Sequence, residues 1–188
     1  MKQSTDKTQY LRSGKQTELT TAIKELSSQF QSQSLQLVFD ILGWIGENIK
    51  FESSLQGAVG RYLWGRTALE VLTSRFATGC TDYTLAFIAL ARAKQVPTVY
   101  IETLSKAWLD KFPIDPKELI TGHSYAKVSL DKKVYFVDST RLCVHLKLPA
   151  GEVVFGEGVD TWDLGLSNKN WKKKFLRFKV ERQKEAGS

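Results

Sequence analysis

The spacing of apolar residues changes near residue 96, and this change constrains the fold more than any other feature of the sequence. Before it, apolar residues recur at the period of an amphipathic helix, as in Leu19, Ile23, Leu26 and Phe30. The same spacing predicts helices over residues 17–30, 34–49, 67–76 and 80–94. The first half of the chain is therefore expected to be helical.

Beyond residue 96, apolar and polar residues alternate, which is the period of a strand. This pattern predicts a strand over 97–102, a hairpin of 123–130 with 134–139, a further strand over 175–180, and a partly helical connection over 107–118. Because the helices precede the strands instead of alternating with them, we expect an α+β fold with an antiparallel sheet.

The chain has 188 residues, of which 42% are hydrophobic, enough for one globular domain with its own core. Its two cysteines are too few for a disulfide framework and form no CxxC pair, which indicates a reducing compartment. The first twenty residues lack the apolar stretch of a signal peptide. We expect a polar, mobile leader over 1–16, a single domain over 17–188 and a cytoplasmic protein without a membrane span, although a mature secreted chain would look the same.

The formal net charge is +7, and a basic cluster lies near the end of the chain over residues 168–185. Such a cluster can attract nucleic acid or an acidic membrane surface. Lysines also guard exposed edge strands and tails, and no motif of a nucleic-acid-binding domain accompanies the cluster. We therefore predict no nucleic-acid partner and interpret the cluster as a solvated edge strand or tail.

Cys80 follows a glycine and stands at the start of the predicted helix over 80–94. The unsatisfied N–H groups and the dipole of a helix N-terminus favour a thiolate over a thiol. The same N–H groups can hold the oxyanion that forms when a thiolate attacks a carbonyl carbon. Free cysteine is also among the most buried residue types, so a structural role for Cys80 stays open at this point.

The predicted hairpin carries a histidine on its first strand and an acid on its second. If Asp131 and Lys132 form the turn, Tyr125 faces Asp138, and His123 becomes a diagonal neighbour of Asp138 on the same face. Diagonal neighbours lie about 7–8 Å apart at the backbone, which is within hydrogen-bonding reach of the two side chains. A three-residue loop would place them on opposite faces, and Asp-Lys is not a strong hairpin signal.

Several short motifs, taken together, resemble the transglutaminase-like superfamily of papain-like cysteine enzymes. They are TALEVL at 67–72, GCTDY at 79–83, LARAKQVP at 90–97, GH at 122–123 and VDST at 137–140, with WIGENIKF at 44–51 upstream. Each motif alone is weak, but their order and spacing are similar to those of the family over residues 37–140.

The resemblance implies a papain-like core in which the Cys80 helix packs on an antiparallel sheet carrying His123 and Asp138. It implies that Cys80 is the nucleophile, His123 the general base and acid, and Asp138 the acid that orients the histidine. Papain-type enzymes use a glutamine shortly before the cysteine as oxyanion donor, whereas true transglutaminases use a tryptophan. No glutamine lies within twenty residues before Cys80, so Trp64 is the predicted donor and Trp44 the alternative.

Cys143 and His145 form a Cys-x-His pair outside these motifs. The pair could be half of a metal site, but the sequence offers no second pair to complete four ligands. We therefore predict ordinary packing for the pair, and we predict neither a metal nor another cofactor for the chain.

The resemblance implies attack on an amide or ester carbonyl to give a thioester, which water or an amine then resolves. Compact members of the superfamily, without flanking β-domains and calcium sites, more often resemble hydrolases. The expected activity is therefore hydrolysis of a protein or peptide substrate, as by a peptidase, amidase or deamidase. Transamidation of protein glutamine is the alternative. A binding module that kept the fold and lost activity is a third reading, which an intact Cys-His-Asp set disfavours.

Overall fold

The structure is a computed structural model that describes residues 10–52, 62–115 and 117–186. Its helices are α1 (Thr21–Ser27), α2 (Ser34–Asn48), α3 (Ala68–Ser74), α4 (Cys80–Ala93), α5 (Lys106–Asp110) and α6 (Trp171–Ala186). Its strands are β1 (Lys50–Phe51), β2 (Phe76–Ala77), β3 (Thr98–Ser105), β4 (Gly122–Leu130), β5 (Lys133–Asp138), β6 (Cys143–His145) and β7 (Glu152–Gly158). No helix in these ranges is long and apolar enough to cross a membrane.

Helix α4 lies at the centre of the main core. It packs on β3 and β4 of a five-stranded antiparallel sheet with the order β6-β5-β4-β3-β7, and α1, α2 and α3 also pack against it. Every residue of α4 from Thr81 to Arg92 is buried. The core cluster joins Ile41 of α2 and Phe87 of α4 to Tyr100 of the sheet. This arrangement confirms the predicted α+β class.

Short-range polar signals set the boundaries of the flanking helices. The Thr67 side chain accepts from the N–H of Glu70, and the Glu70 carboxylate accepts from the N–H of Thr67, which completes a capping box before α3. Helix α3 ends where Arg75 adopts the left-handed region, with φ 61°. The Thr20 side chain caps the start of α1 by accepting from the N–H of Ile23. Both helices are therefore shorter than their apolar spacing predicts.

The β4–β5 hairpin has the register that places the predicted site residues on one face. Leu130 pairs with Lys133 across the turn. The turn residues 131 and 132 have φ of 49° and 62°, and two positive values in succession are typical of a type I′ turn, whose twist matches the flanking strands. Because side chains alternate along each strand, this register puts Asp138 on the face that carries His123.

The C-terminal segment is helical, so the predicted strand over 175–180 and the predicted edge strand or tail are wrong. Trp171, Phe175 and Phe178 of α6 lie three or four residues apart and join one apolar cluster with Trp64 and Leu104. The short run FLRFKV has apolar residues that fit both a helical and an alternating period, and its contacts with this cluster favour the helix. Most of the basic residues therefore lie on an amphipathic helix.

The edge of the sheet beside β3 is strand β7, which the sequence pattern missed. Glycine weakens the strand signal of its segment GEVVFGEG. Close packing explains two of the glycines. A Cβ at Gly158 would lie 2.7 Å from Asp163 Oδ2, and one at Gly156 would lie 3.1 Å from Leu164 Cδ2. The glycines therefore let the following turn fold back against the strand.

The boundary predicted for the leader falls inside the packed structure. Gln16 is fully buried, and its side-chain amide donates to the backbone oxygens of Trp64, at 3.3 Å, and Arg66, at 2.9 Å. The packed part of the chain thus begins before residue 17. Residues 1–9 of the predicted leader lie outside the described ranges.

Phe175 tests the packing of α6 against the rest of the protein. Its ring is buried against Trp64, Phe155 and Trp171, at centroid distances of 5.7, 4.8 and 5.9 Å. We expect Phe175→Ala to lower the free energy of unfolding by about 3–5 kcal/mol, because truncation leaves a cavity. Urea denaturation measures the change. The matched control is Phe39→Ala on α2, whose residue is 45% exposed and should cost clearly less. Equal losses would contradict the docking of α6.

Candidate active site

Cys80 is the first residue of α4 and is half-buried. Gly79 before it provides no side-chain cap, so the first-turn N–H groups are not occupied by a capping side chain. Among the described residues, no atom lies within 4 Å of a Cβ added at Gly79, which shows space beside the start of the helix. The buried helix thus holds the thiol on a rigid support beside that space.

Asp82 fixes the chain around Cys80 from the first turn of α4. Its Oδ2 accepts hydrogen bonds from Arg66 Nη1 at 2.9 Å, from the Thr78 N–H at 2.8 Å and from the Thr78 hydroxyl at 3.0 Å. Both partners of the Arg66–Asp82 ion pair are buried. Arg66 also donates to the carbonyl of Phe76, at 2.8 Å. The acid of the GCTDY motif therefore positions the turn that carries the cysteine.

The predicted histidine and aspartate lie in contact. His123 Nε2 is 2.9 Å from Asp138 Oδ2, and both residues are buried. The contact has the distance of an ion pair, although the ring N–H does not point straight at the oxygen. Because Nε2 faces the carboxylate, Nδ1 is the ring nitrogen left for the Cys80 thiol, which interacts with this imidazole. The structure thus brings Cys80, His123 and Asp138 together.

Asp138 is held by the backbone that follows it. Its Oδ1 accepts from the N–H groups of Thr140, at 3.1 Å, and Arg141, at 3.0 Å, while Oδ2 also accepts from Arg141 Nη1 at 2.8 Å. Burial raises the pKa of Asp138, but the bonds and charges of His123 and Arg141 outweigh it and lower the pKa below its usual value. The carboxyl group is therefore ionised beside the imidazole.

Cys80 and His123 shift each other's ionisation. Burial raises the pKa of the Cys80 thiol, but the hydrogen bond and charge of His123 and hydrogen bonds from Ser124 lower it overall. Burial lowers the pKa of His123, whereas its bonds to Asp138 and Cys80 raise it to about 10. Each residue therefore favours the charged form of the other, and a thiolate beside an imidazolium is the reactive form of a cysteine nucleophile.

Glu102 is a buried acid near Cys80 that the sequence patterns did not single out. It lies on β3, opposite Ser124 on β4, and its Oε2 accepts a hydrogen bond from the hydroxyl of Tyr100. Burial and the nearby Cys80 charge raise the pKa of Glu102 well above its usual value. The signal for it was present in the sequence, because a glutamate within an otherwise apolar strand needs a partner. The structure thus places a buried carboxyl group with a raised pKa near the thiol.

Trp64 lies on the same side of the structure as Glu102. Its ring is buried against Trp171 at a centroid distance of 5.1 Å, and its backbone is in the left-handed region with φ 55°. The indole N–H is close enough to Glu102 to act on the pKa of that carboxyl group, yet within the described residues it forms no well-directed hydrogen bond. Trp64 is thus a buried donor without an acceptor, close to an acid that neighbours Cys80.

Trp44, the alternative donor, occupies a different environment. It lies on α2 and packs edge-on against Phe30 at a centroid distance of 6.4 Å. The guanidinium of Arg75 lies over its ring at 4.5 Å. These contacts give Trp44 a packing role, and they favour Trp64 as the tryptophan associated with the site.

The sequence suggested that no further metal-binding side chain accompanies the Cys143–His145 pair. The structure places Asp138 beside it. Cys143 Sγ lies 3.3 Å from His145 Nε2, and β6 pairs Cys143 with Asp138 of β5. The donor atoms of these three residues all lie within 4.8 Å of one another. The sequence could not reveal the third donor, because strand pairing supplies it.

Comparisons with known proteins bear on the fold. No family model matches the chain, and no curated protein matches it. The structure is similar to the crystal structure of a proposed cysteine protease from Cytophaga hutchinsonii, with a TM-score of 0.63 and 22% sequence identity. The match covers 85% of this chain and 49% of that protein, so the chain spans about half of its length. The likeness supports an α+β fold of the papain-like kind.

The pKa of Glu102 leads to a prediction about stability. The folded protein keeps a proton that the unfolded chain releases above its ordinary pKa of 4.5. The free energy of unfolding should therefore fall as pH rises from that value towards the folded pKa, by up to about 1.4 kcal/mol per pH unit. Glu102→Gln is neutral throughout, so its stability relative to wild type should rise between pH 5 and pH 8.

Urea denaturation at several pH values measures this difference. Glu185→Gln is the control, because it removes a carboxylate at an exposed position of α6. Its difference from wild type should change little over the same range. A Glu102→Gln difference that stays constant with pH would show that Glu102 is already ionised in the folded protein.

Proposed function

We propose that this chain is a transglutaminase-like cysteine enzyme that hydrolyses amide bonds through a thioester. The observation that supports this most directly is the placement of His123 between a half-buried thiol at a helix N-terminus and a buried, ionised carboxylate. An imidazole in that position can transfer protons while the carboxylate stabilises its charged form. The papain-like fold and the motifs around Cys80 agree with this assignment.

In the first half of the reaction, the Cys80 thiolate attacks the carbonyl carbon of the substrate. The C=O π electrons move to oxygen as the S–C bond forms. When the carbonyl re-forms, the C–N bond breaks, and the imidazolium of His123 gives its Nδ1 proton to the leaving nitrogen. The products are a free amine or ammonia and a thioester on Cys80.

In the second half, water attacks the thioester carbon and gives a proton to the now neutral His123. The C–S bond breaks, the carboxylic acid leaves, and the thiolate and imidazolium are restored. Asp138 holds the ring in one orientation through both halves, because its own position is fixed by the N–H groups of Thr140 and Arg141.

The oxyanion needs donors that do not move during the reaction. The N–H of Cys80 at the helix N-terminus is one, and we assign the indole N–H of Trp64 as the second. The buried indole N–H lacks a well-directed acceptor in the described structure, so an oxyanion can take that place. The assignment makes Trp64 a catalytic residue.

The molecule that attacks the thioester distinguishes two candidate activities: water gives hydrolysis, and an amine gives transamidation. We propose water, and hence a protein or peptide hydrolase, because the structure is similar to that of a proposed cysteine protease. Transamidation remains the second candidate, since a tryptophan donor resembles that of true transglutaminases. Both candidates use the same Cys80 thioester.

Selective alkylation tests the nucleophile without knowledge of the substrate. Because the pKa of Cys80 is lowered and that of Cys143 is raised, iodoacetamide at pH 6 should label Cys80 much faster than Cys143. Intact-mass and peptide mass spectrometry give both rates. His123→Ala should slow labelling of Cys80 and leave Cys143 unchanged. Equal slow rates for both cysteines in folded wild-type protein would support the inactive binding module instead.

Trp64→Phe tests the second oxyanion donor and the acceptor together. It keeps an aromatic ring in the cluster and removes the N–H together with part of the indole ring, so we expect kcat to fall by about 10²–10³. Trp44→Phe is the matched control and should keep full activity. The assay uses a glutamine-containing protein with and without a labelled primary amine.

The products of that assay decide the acceptor. Hydrolysis predicts a cleaved peptide or released ammonia, without label in the protein. Stable incorporation of the amine in competition with hydrolysis would make the enzyme a transglutaminase in activity. A kcat unaffected by Trp64→Phe would remove Trp64 from the oxyanion site.

A further inference from the structure

A second group of chemically active side chains adjoins the proposed triad. Asp138, Cys143 and His145 come from the neighbouring strands β5 and β6, and their donor atoms lie within 4.8 Å of one another. Asp138 is buried, whereas Cys143 and His145 are half-buried, so an ion can reach the group from solvent. Tyr125 lies between the two histidines, edge-on to His123 at 4.8 Å and to His145 at 6.3 Å.

The three side chains form a donor set that suits zinc. Thiolate, imidazole and carboxylate are its usual protein ligands, with Zn–S near 2.3 Å and Zn–N near 2.0 Å. A tetrahedral ion with these bonds holds sulfur and nitrogen about 3.5 Å apart. The observed distance from Cys143 Sγ to His145 Nε2 is 3.3 Å. This pair therefore already has the spacing of two ligands on one ion.

We propose that Asp138, Cys143 and His145 bind Zn²⁺, and that the bound ion, by taking the place of Arg141 on Asp138, weakens the contact of that carboxylate with His123 and so inhibits the enzyme. Binding forms a bond from zinc to each of the three donors, and the Cys143 thiol releases its proton to solvent. Water completes the coordination. The binding claim stands on this geometry alone, whereas the inhibition claim rests on the proposed function.

To bind zinc, Asp138 has to release one of the two groups that its Oδ2 now contacts. Its Oδ2 contacts both His123 Nε2, at 2.9 Å, and Arg141 Nη1, at 2.8 Å. The Arg141 side chain is 64% exposed, so it can swing into water at little cost. The ion then occupies the side of the carboxylate that the guanidinium leaves.

Replacement of Arg141 by zinc changes the partner of the Asp138 carboxylate. The ion carries one more positive charge than the guanidinium, and the proton lost by Cys143 removes one, so the net charge beside Asp138 stays the same. The carboxylate nevertheless changes from a hydrogen-bond acceptor of Arg141 to a metal ligand, and its Oδ2 then shares an electron pair with the ion. The contact between Asp138 and His123 is weakened as a result, and the imidazole loses the group that holds it in orientation beside Cys80.

Cobalt spectroscopy tests the binding claim independently of activity. In Cys80→Ser protein, Cys143 is the one remaining cysteine. Addition of Co²⁺ should give a thiolate-to-metal charge-transfer band in the near ultraviolet, which zinc then abolishes by displacement. The band should be lost in Cys80→Ser/Cys143→Ser, and the affinity in Cys80→Ser/His145→Ala should fall by about tenfold or more. No band in the Cys80→Ser protein, or an unchanged affinity without His145, would overturn the site.

Labelling of Cys80 at pH 6 tests the coupling without a substrate. Zinc should slow alkylation of Cys80 in the wild type, but not in His145→Ala, when each protein is compared with itself in the absence of zinc. Equal slowing in both proteins would show that zinc binds Cys80 and His123 directly and would overturn the coupling. Rapid Cys80 labelling that zinc leaves unchanged, together with a normal cobalt band, would keep the metal site and refute inhibition. Labelling of Cys80 without metal tests its proposed catalytic role separately.

Discussion

The structure depends on the complete burial of α4, a helix that nevertheless carries a charged residue near each end. Asp82 at its N-terminal turn is neutralised by buried Arg66. Arg92 in its last turn is fully buried and donates to the carbonyl oxygens of Thr98, at 2.6 Å, and Val159, at 2.9 Å. Both charges have the sign that complements the helix dipole. Since a buried charge without partners is very costly, these contacts bind distant loops to the helix and fix where it begins.

The position of that first turn makes the triad possible. Cys80 is set by the helix, whereas His123 and Asp138 are set by a hairpin whose register is decided by the turn at residues 131–132. The two units meet through the apolar core, and Thr84 of α4 also hydrogen-bonds to the Ser124 carbonyl, 3.3 Å away, one residue after His123. Helix packing and strand register therefore act together, and neither alone would bring a thiol to an imidazole.

Local signals in the sequence made part of the fold and of the proposed site predictable. The capping box at Thr67 and the turn after Leu130 act over a few residues, and the sequence located both correctly. The C-terminal helix was missed because its short apolar run fits two periods. Contacts with the rest of the protein decide between helix and strand here. Lys179 is buried and donates to the Trp108 carbonyl at 2.6 Å, and the apolar pattern within the segment does not predict this contact. The sequence marked Glu102 as an acid that needs a partner, but its nearness to Cys80 comes from the packing of β3 and α4 and could not be predicted from the strand alone.

Buried polar atoms without a well-formed hydrogen bond lie mostly in one part of the described structure. There are five such side-chain atoms in the described residues, and those of Trp64, His123, Tyr125 and Ser139 belong to residues in or near the proposed site. His123 Nε2 still lies 2.9 Å from Asp138 Oδ2, whereas a buried group with no partner at all costs about 1–3 kcal/mol, so natural proteins keep few of them. The Trp64, Tyr125 and Ser139 groups are therefore positions where a bound ligand or a solvent molecule would supply the missing partner.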